Sequence, residues 1–450
     1  MDQAVSTNPI VALLGFLAVI LLLLLLISRW KWHVFLALLI PIVLFGILPG
    51  IQQDNFIKAF ENGFGKTLGK IGVVIVLGSI IAEGLKHTGA IKIITRSIIQ
   101  LVGSKRMPLA LTLTGFVLGI AIFSDVAYVI LNPLVHASAL ATNTSIAAMS
   151  TGLVGALQLT HAIVPPTPGP LAAAALVGAD IGKTIFFGSI VCFAGSMAGW
   201  AWGKWVAGPR VTTMADQKFK VEEDVVILKT KAILMAYAPI VIPIILISMY
   251  SVAKFSMPEG SSWHAIFTFI GWPVVALTIG VWLTFRNIKS PEDRKDSKSK
   301  WIEDALRGSA MILVVTGLGG SLSEILKGTP VVDYIVDFFT DYNLPSIILP
   351  FIVGIIGNMV TGSTTVGVIT AASITAPMLG SLGLSPEAAM LSGASGSVII
   401  KYVNSSYFWV CTSLSGLSVR DAIFSYGGAT LVGGVVSFLT VVALWVSGVL

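Results

Sequence analysis

Charge is what this chain has least of. Lys, Arg, Asp and Glu make up 11% of its 450 residues, where a soluble domain carries about 25%, so a water-facing globular surface is excluded. Cysteine is almost absent. Cys192 and Cys411 are the two present, both inside apolar runs, and a disulfide framework is unsupported. There is no HExxH pattern, no metal-ligand cluster and no glycine-rich phosphate loop, so neither a metal nor another cofactor is expected, and any work done draws on a gradient. What the chain has in quantity is apolar surface, 55% of residues with a mean hydropathy of +0.91. It reads as a polytopic membrane protein. The net charge of +6 then reflects basic cytoplasmic loops and not a nucleic-acid partner.

Apolar runs long enough to span fall near residues 10–27, 34–51, 68–85, 145–176, 184–206, 233–252, 266–285, 305–326, 386–414 and 422–449. The first lacks a basic leader and a small-residue cleavage site, and is expected to be a retained helix. Two further stretches, about 108–140 and 345–383, are interrupted by small and polar residues and read as re-entrant hairpins. Basic loops at 28–33, 207–232 and 286–304 are placed in the cytoplasm. Ten spans and two hairpins then leave both termini outside.

Self-comparison divides the chain. Glu83 and Glu324 differ by 324 − 83 = 241, and the same offset superposes Ala147-Ala148-Met149 on Ala388-Ala389-Met390 and Gly155 on Gly396. A shift of three residues later aligns Ile185-Phe186 with Ile423-Phe424. Residues 1–206 and 233–450 are read as two repeats. The amphipathic segment 91–106 carries Lys92, Arg96, Lys105 and Arg106, whereas its counterpart 331–343 carries Asp333, Asp337 and Asp341. By the charge rule one lies inside and the other outside, so the repeats are inverted. The expected fold is all-α, with inverted repeats, hairpins and two broken helices, the plan of a secondary carrier.

The breaks and hairpin tips hold the polar groups. Pro165-Pro166-Thr167-Pro168-Gly169-Pro170 cannot continue a helix, since proline lacks an N–H and clashes with the preceding turn. A break at about 164–170 inside hydrocarbon must be packed in protein or line a wet cavity. His161 precedes it, as a packing residue or a proton carrier. At the first tip stand Ser124 and Asp125. An ionised Asp at the bilayer centre costs about 2.5–3.5 kcal/mol and is a functional candidate for that reason; a helix cap is the alternative. At the second tip, Ser363, Thr364 and Thr365 offer N–H and O–H donors to a carboxylate or hydroxylated solute, or bond carbonyls one turn back. The second break, about 401–407, holds Lys401, Asn404 and Ser405, with Lys401 either facing a solute carboxylate or snorkelling to the surface.

These residues resemble the gluconate permeases, gluconate:proton symporters that include carriers of other sugar acids and of D-serine. The resemblance runs nearly end to end and is carried by Phe123-Ser124-Asp125-Val126-Ala127, by Thr160-His161 leading into the proline break, by Gly362-Ser363-Thr364-Thr365-Val366 and by Val403-Asn404 leading to Phe408-Trp409. It implies membership of the ion-transporter superfamily and an elevator-type homodimer in a bacterial inner membrane. Two positions depart from the pattern: Thr167 stands where many gluconate carriers have His, and Ser405 where they tend to have Asp.

The function expected is proton-coupled symport of a small organic anion of the gluconate, sugar-acid or hydroxy-acid type. Its solute is held by Ser124, Thr167, Gly169, Ser363, Thr364, Thr365, Asn404, Ser405 and Lys401, and its proton by Asp125 and His161. Sodium coupling and a D-serine-like solute are the alternatives. Gly393-Ala394-Ser395-Gly396 matches the GxSG pattern of intramembrane serine proteases, but all five histidines precede it, so an enzyme is not expected. A channel fits the hairpins less well than a carrier does.

Overall fold

A computed structural model describes residues 9–48, 51–103, 106–215, 228–256, 258, 261–288, 290–327, 329–403 and 405–450. Among these the chain is helical, with no strand. The first part comprises α1 (Pro9–Ser28), α2 (Val34–Gly46), α3 (Gln53–His87), α4 (Ala90–Val102), α5 (Met107–Gly119), α6 (Ser124–Thr142), α7 (Ile146–Ile163), α8 (Pro168–Val177) and α9 (Ile181–Trp202). After it come α10 (Thr230–Ser256), α11 (Ser262–Gly271) and α12 (Pro273–Arg286). The last part comprises α13 (Lys300–Lys327), α14 (Val331–Asp341), α15 (Ile348–Thr361), α16 (Thr364–Thr375), α17 (Pro386–Ser397), α18 (Ser406–Ser415) and α19 (Gly428–Val446).

The element order recurs at the offset found in the sequence. Helix α14 starts 331 − 90 = 241 residues after α4, and α15 starts 348 − 107 = 241 after α5. Past the second break the offset is 406 − 168 = 238, from α8 to α18.

Six helical stretches among the described residues are long and apolar enough to cross a membrane, seven if the bent pair α11–α12 counts as one. Residues 266–285, expected as one straight span, are instead bent by 60° between α11 and α12. The cause is local: Pro273 at the first turn of α12 has no N–H to continue α11, and Trp272 before it is extended at ψ 128°.

Burial separates a centre from a periphery. The stretch Ile146–Val177, which is α7 plus α8, is 94% buried in its most apolar window, whereas α10 is 28% buried and presents its apolar surface outward. Around α7 pack α5, α6 and α9; α8 packs on α16, α18 on α6, and α15 on α16 and α17. Small residues permit a close crossing of α3 and α13. There Gly63 lies on Gly320, and Ser321 Oγ donates to the Phe60 carbonyl at 2.8 Å.

Candidate functional site

Four helices begin after an interruption of the chain, next to buried polar residues. Helix α6 starts at Ser124 after the turn 120–123, α8 at Pro168 after the proline break, α16 at Thr364 after Gly362-Ser363, and α18 at Ser406 after the second break. Each N-terminus carries unpaired N–H groups and the positive end of a helix dipole.

The two tips are joined by one side chain. Gln158, on α7 and 2% exposed, accepts from Ser124 Oγ at 3.5 Å through Oε1 and donates to Thr364 Oγ1 at 2.9 Å through Nε2. At the next position Gly169, in the first turn of α8, sits on Thr365: a Cβ there would lie 3.2 Å from Thr365 Oγ1 and 3.3 Å from its Cα. Ser363 caps α16 by accepting from Val366 N at 3.3 Å, and Thr361 Oγ1 accepts from Ser363 N at 3.1 Å.

The first break is closed by its own hydroxyl. Thr167 Oγ1 lies 2.9 Å from the His161 carbonyl and 2.7 Å from that of Val164, two acceptors that the prolines leave without amide donors. His161 is buried, its ring 5.4 Å from Phe123 and its Nδ1 without a partner among the described residues. It lies within electrostatic reach of both Asp125 and Lys401. Asp125 itself is exposed in this conformation, and its Oδ1 accepts from Val126 N at 2.9 Å. A crevice lined by Ser79, Phe123, His161, Thr167, Pro239 and Pro243 separates this side from α3 and α10, with space for about one water molecule.

The second break begins earlier than its polar residues indicate. Helix α17 ends at Ser397, and Ile400 takes the left-handed conformation, φ 52°. That geometry is rare for a β-branched residue. It turns Lys401 inward and not toward the surface: Lys401 is 2% exposed, and Nζ donates to Asn358 Oδ1 at 2.7 Å and to the Gly362 carbonyl at 3.0 Å. Ser405 is buried, its N–H donating to the Tyr402 carbonyl at 3.0 Å. Asn404 lies outside the described residues.

Of the residues singled out from sequence, Ser124, Thr364, Gly169, Thr365 and Ser363 are thus gathered at the two tips, with Lys401 on the second tip and His161 and Thr167 at the first break. Gln158 and Asn358 were missed. Gln158 has a sequence signal, a lone amide in an apolar run three residues before His161; Asn358 sits likewise four residues before Gly362. Ser395, in the GxSG pattern, donates to the Leu391 carbonyl at 2.7 Å and is fully buried, a helix packing residue. No group of three or more His, Cys, Asp or Glu that could hold a metal ion occurs among the described residues.

The family model for GntP family permeases matches residues 11–447. The chain belongs to the GntP permease family. It is 29% identical to the gluconate permease of Pseudomonas aeruginosa over 96% of this chain and 97% of that protein. It is 30% identical to the D-serine transporter DsdX of Escherichia coli over 93% and 94%. An uncharacterized permease of Haemophilus influenzae is 32% identical over 91% and 86%. Among solved structures, the efflux pump MtrF of Neisseria gonorrhoeae shares the fold with a TM-score of 0.59 at 14% identity, covering 98% of this chain and 96% of that one. The YdaH transporter of Alcanivorax borkumensis does so with 0.57 at 17%, over 88% and 90%. The chain is a multi-pass membrane transporter and not an enzyme.

Proposed function

We propose that the protein is a proton-coupled secondary carrier for a small organic anion of the sugar-acid or hydroxy-acid class, working by alternating access in a bacterial inner membrane. The observation that carries the reading is the meeting of three helix N-termini, those of α6, α8 and α16, where Gln158 joins Ser124 to Thr364 and Gly169 rests on Thr365. Helix N-termini favour an anion, and Lys401 beside the second tip, when protonated, adds positive charge. Hydroxyls of Ser124, Thr364 and Thr365, with Ser405 and Asn404 of the second break, suit the hydroxyl groups of such a solute. Relatives named for gluconate, L-idonate and D-serine support a carboxylate with an adjacent hydroxyl or amine as the solute.

In this reading residues 1–206 and 233–450 are inverted repeats, each with a re-entrant hairpin, and both termini face outward. The hairpins and broken helices form a core that slides against α3, α10, α12 and α13 in an elevator-like homodimer. Asp125 carries the proton, with His161 behind it at the break. The crevice between His161 and α10 is too small for a six-carbon anion, so passage requires the core to move. A sodium-coupled carrier is the second reading, since broken helices bring carbonyl oxygens to such a site.

The test is a thermal-shift screen of purified protein against gluconate, L-idonate, D-serine and lactate, since a ligand stabilises the state it binds. At least one should raise Tm in a saturable way. Uptake of that solute into proteoliposomes should follow an imposed proton gradient and ignore sodium. The Asp125→Asn variant should bind but fail to concentrate it, and concentration at the parent's level would refute the proton assignment.

A further inference from the structure

The Lys401 ammonium has a chemical peculiarity that solute binding does not use. It is buried, and its neighbours are neutral oxygens: Asn358 Oδ1 at 2.7 Å and the Gly362 carbonyl at 3.0 Å. No carboxylate lies within ion-pair distance of it among the described residues. A lone buried charge is costly unless the surroundings are built to hold it. Here they are built. Gly362 closes the C-terminus of α15, where the helix dipole is negative and carbonyls lack amide partners.

The oxygens are also held in place from behind. Asn358 Nδ2 donates to the Ile399 carbonyl at 3.0 Å, which fixes the amide so that Oδ1, and not the NH₂, faces Lys401. The Asn358 carbonyl accepts from Gly362 N at 2.7 Å, and Lys401 N donates to Thr430 Oγ1 at 3.0 Å. The left-handed Ile400 aims the side chain at this spot. Carbonyl and amide oxygens fixed at a helix C-terminus beside an unwound segment are what sodium or potassium asks of a binding site.

We propose that the end of α15 is a monovalent-cation site whose occupant is the chain's own Lys401 ammonium. The tethered charge holds the second tip against the second break through the transport cycle, so that this half of the molecule takes up no ion from solution. The first part of the chain offers no such tether: the positions 241 residues before Asn358 and Lys401 are Val117 and Thr160. Ion coupling is thereby confined to the side of Asp125 and His161.

Removing the tether should expose the site. Purified parent and Lys401→Ala protein are compared by Tm in sodium, potassium, choline or ethylammonium chloride at one ionic strength. No transported solute enters the measurement, so its failure is distinguishable from failure of the symporter reading. The parent should melt at the same temperature in all four salts. Lys401→Ala should melt several degrees lower in choline and recover, saturably, in sodium or potassium, as a ligand specific to the folded state requires. Recovery in ethylammonium alone overturns the proposal, because the oxygens would then demand a hydrogen-bond donor and not a bare cation. Equal melting of Lys401→Ala in choline, sodium and potassium overturns it as well. Lys401→Met, which keeps the apolar stem, covers poor folding. Yield of either variant restored by sodium or potassium supports the site, and failure of both in every salt refutes it.

Discussion

At the scale of single residues, the site is organised by side chains that satisfy backbone and one another. Thr167 illustrates a substitution with a structural consequence: a hydroxyl caught between the His161 and Val164 carbonyls leaves no group to ionise where many gluconate carriers have His. Gln158 illustrates the reverse, a residue whose role only coordinates reveal. Its amide bonds both Ser124 and Thr364. Gln158→Leu keeps the volume and leaves both hydroxyls without that partner inside protein. Unpaired buried groups cost about 1–3 kcal/mol, so the solute found by thermal shift should bind about 5- to 150-fold more weakly. Titrating the variant's Tm against that solute checks this, and an unchanged midpoint would show that the bridge does not shape the site.

At the scale of elements, the first break was legible from its own residues, whereas the second was expected at about 401–407 and begins earlier, after Ser397. Four prolines within six residues leave α7 no way to continue, and it ends at Ile163, just before them. The second break has no proline. It arises where Val398, Ile399 and Ile400 follow Ser397 and Ile400 turns left-handed, a choice made by the tertiary fit of Lys401 to α15, which no local pattern encodes. The interruptions before α6 and α16 were legible at Ser124-Asp125 and Thr361-Gly362-Ser363, small and polar residues between apolar runs. Packing of α3 on α13 was not read from the sequence. A side chain at Gly320 would meet Thr67 and the Gly63 carbonyl, whereas one at Gly308 on the same helix meets nothing within 4 Å. Gly320→Val should therefore destabilise by about 1–3 kcal/mol, the cost of overpacking, while Gly308→Val should melt with the parent. Parallel melting curves of the two variants read this directly, and equal losses would place the α3–α13 crossing elsewhere.

At the scale of the whole molecule, composition alone settled the membrane class, and the 241-residue offset anticipated the recurrence of helices from α4 and α5 to α14 and α15. What the sequence left out is which contacts stay fixed when the protein works, because a repeat fixes order and not relative motion. In the proposed elevator one seam lies inside the moving core, where a Cβ at Gly115 of α5 would lie 3.2 Å from Ala156 Cβ of α7, and another lies between core and scaffold. In that second seam Gly319 of α13 would bring a Cβ to 2.5 Å from Ser373 Oγ of α16. Cysteine pairs at these two places, in a chain with Cys192 and Cys411 replaced by alanine, make the distinction measurable as solute uptake into proteoliposomes before and after oxidation. The elevator motion predicts that the disulfide of Gly319→Cys with Ser373→Cys arrests uptake until reduced, while that of Gly115→Cys with Ala156→Cys leaves it running. Undiminished uptake across an oxidised Gly319–Ser373 seam would contradict a core that moves against α13.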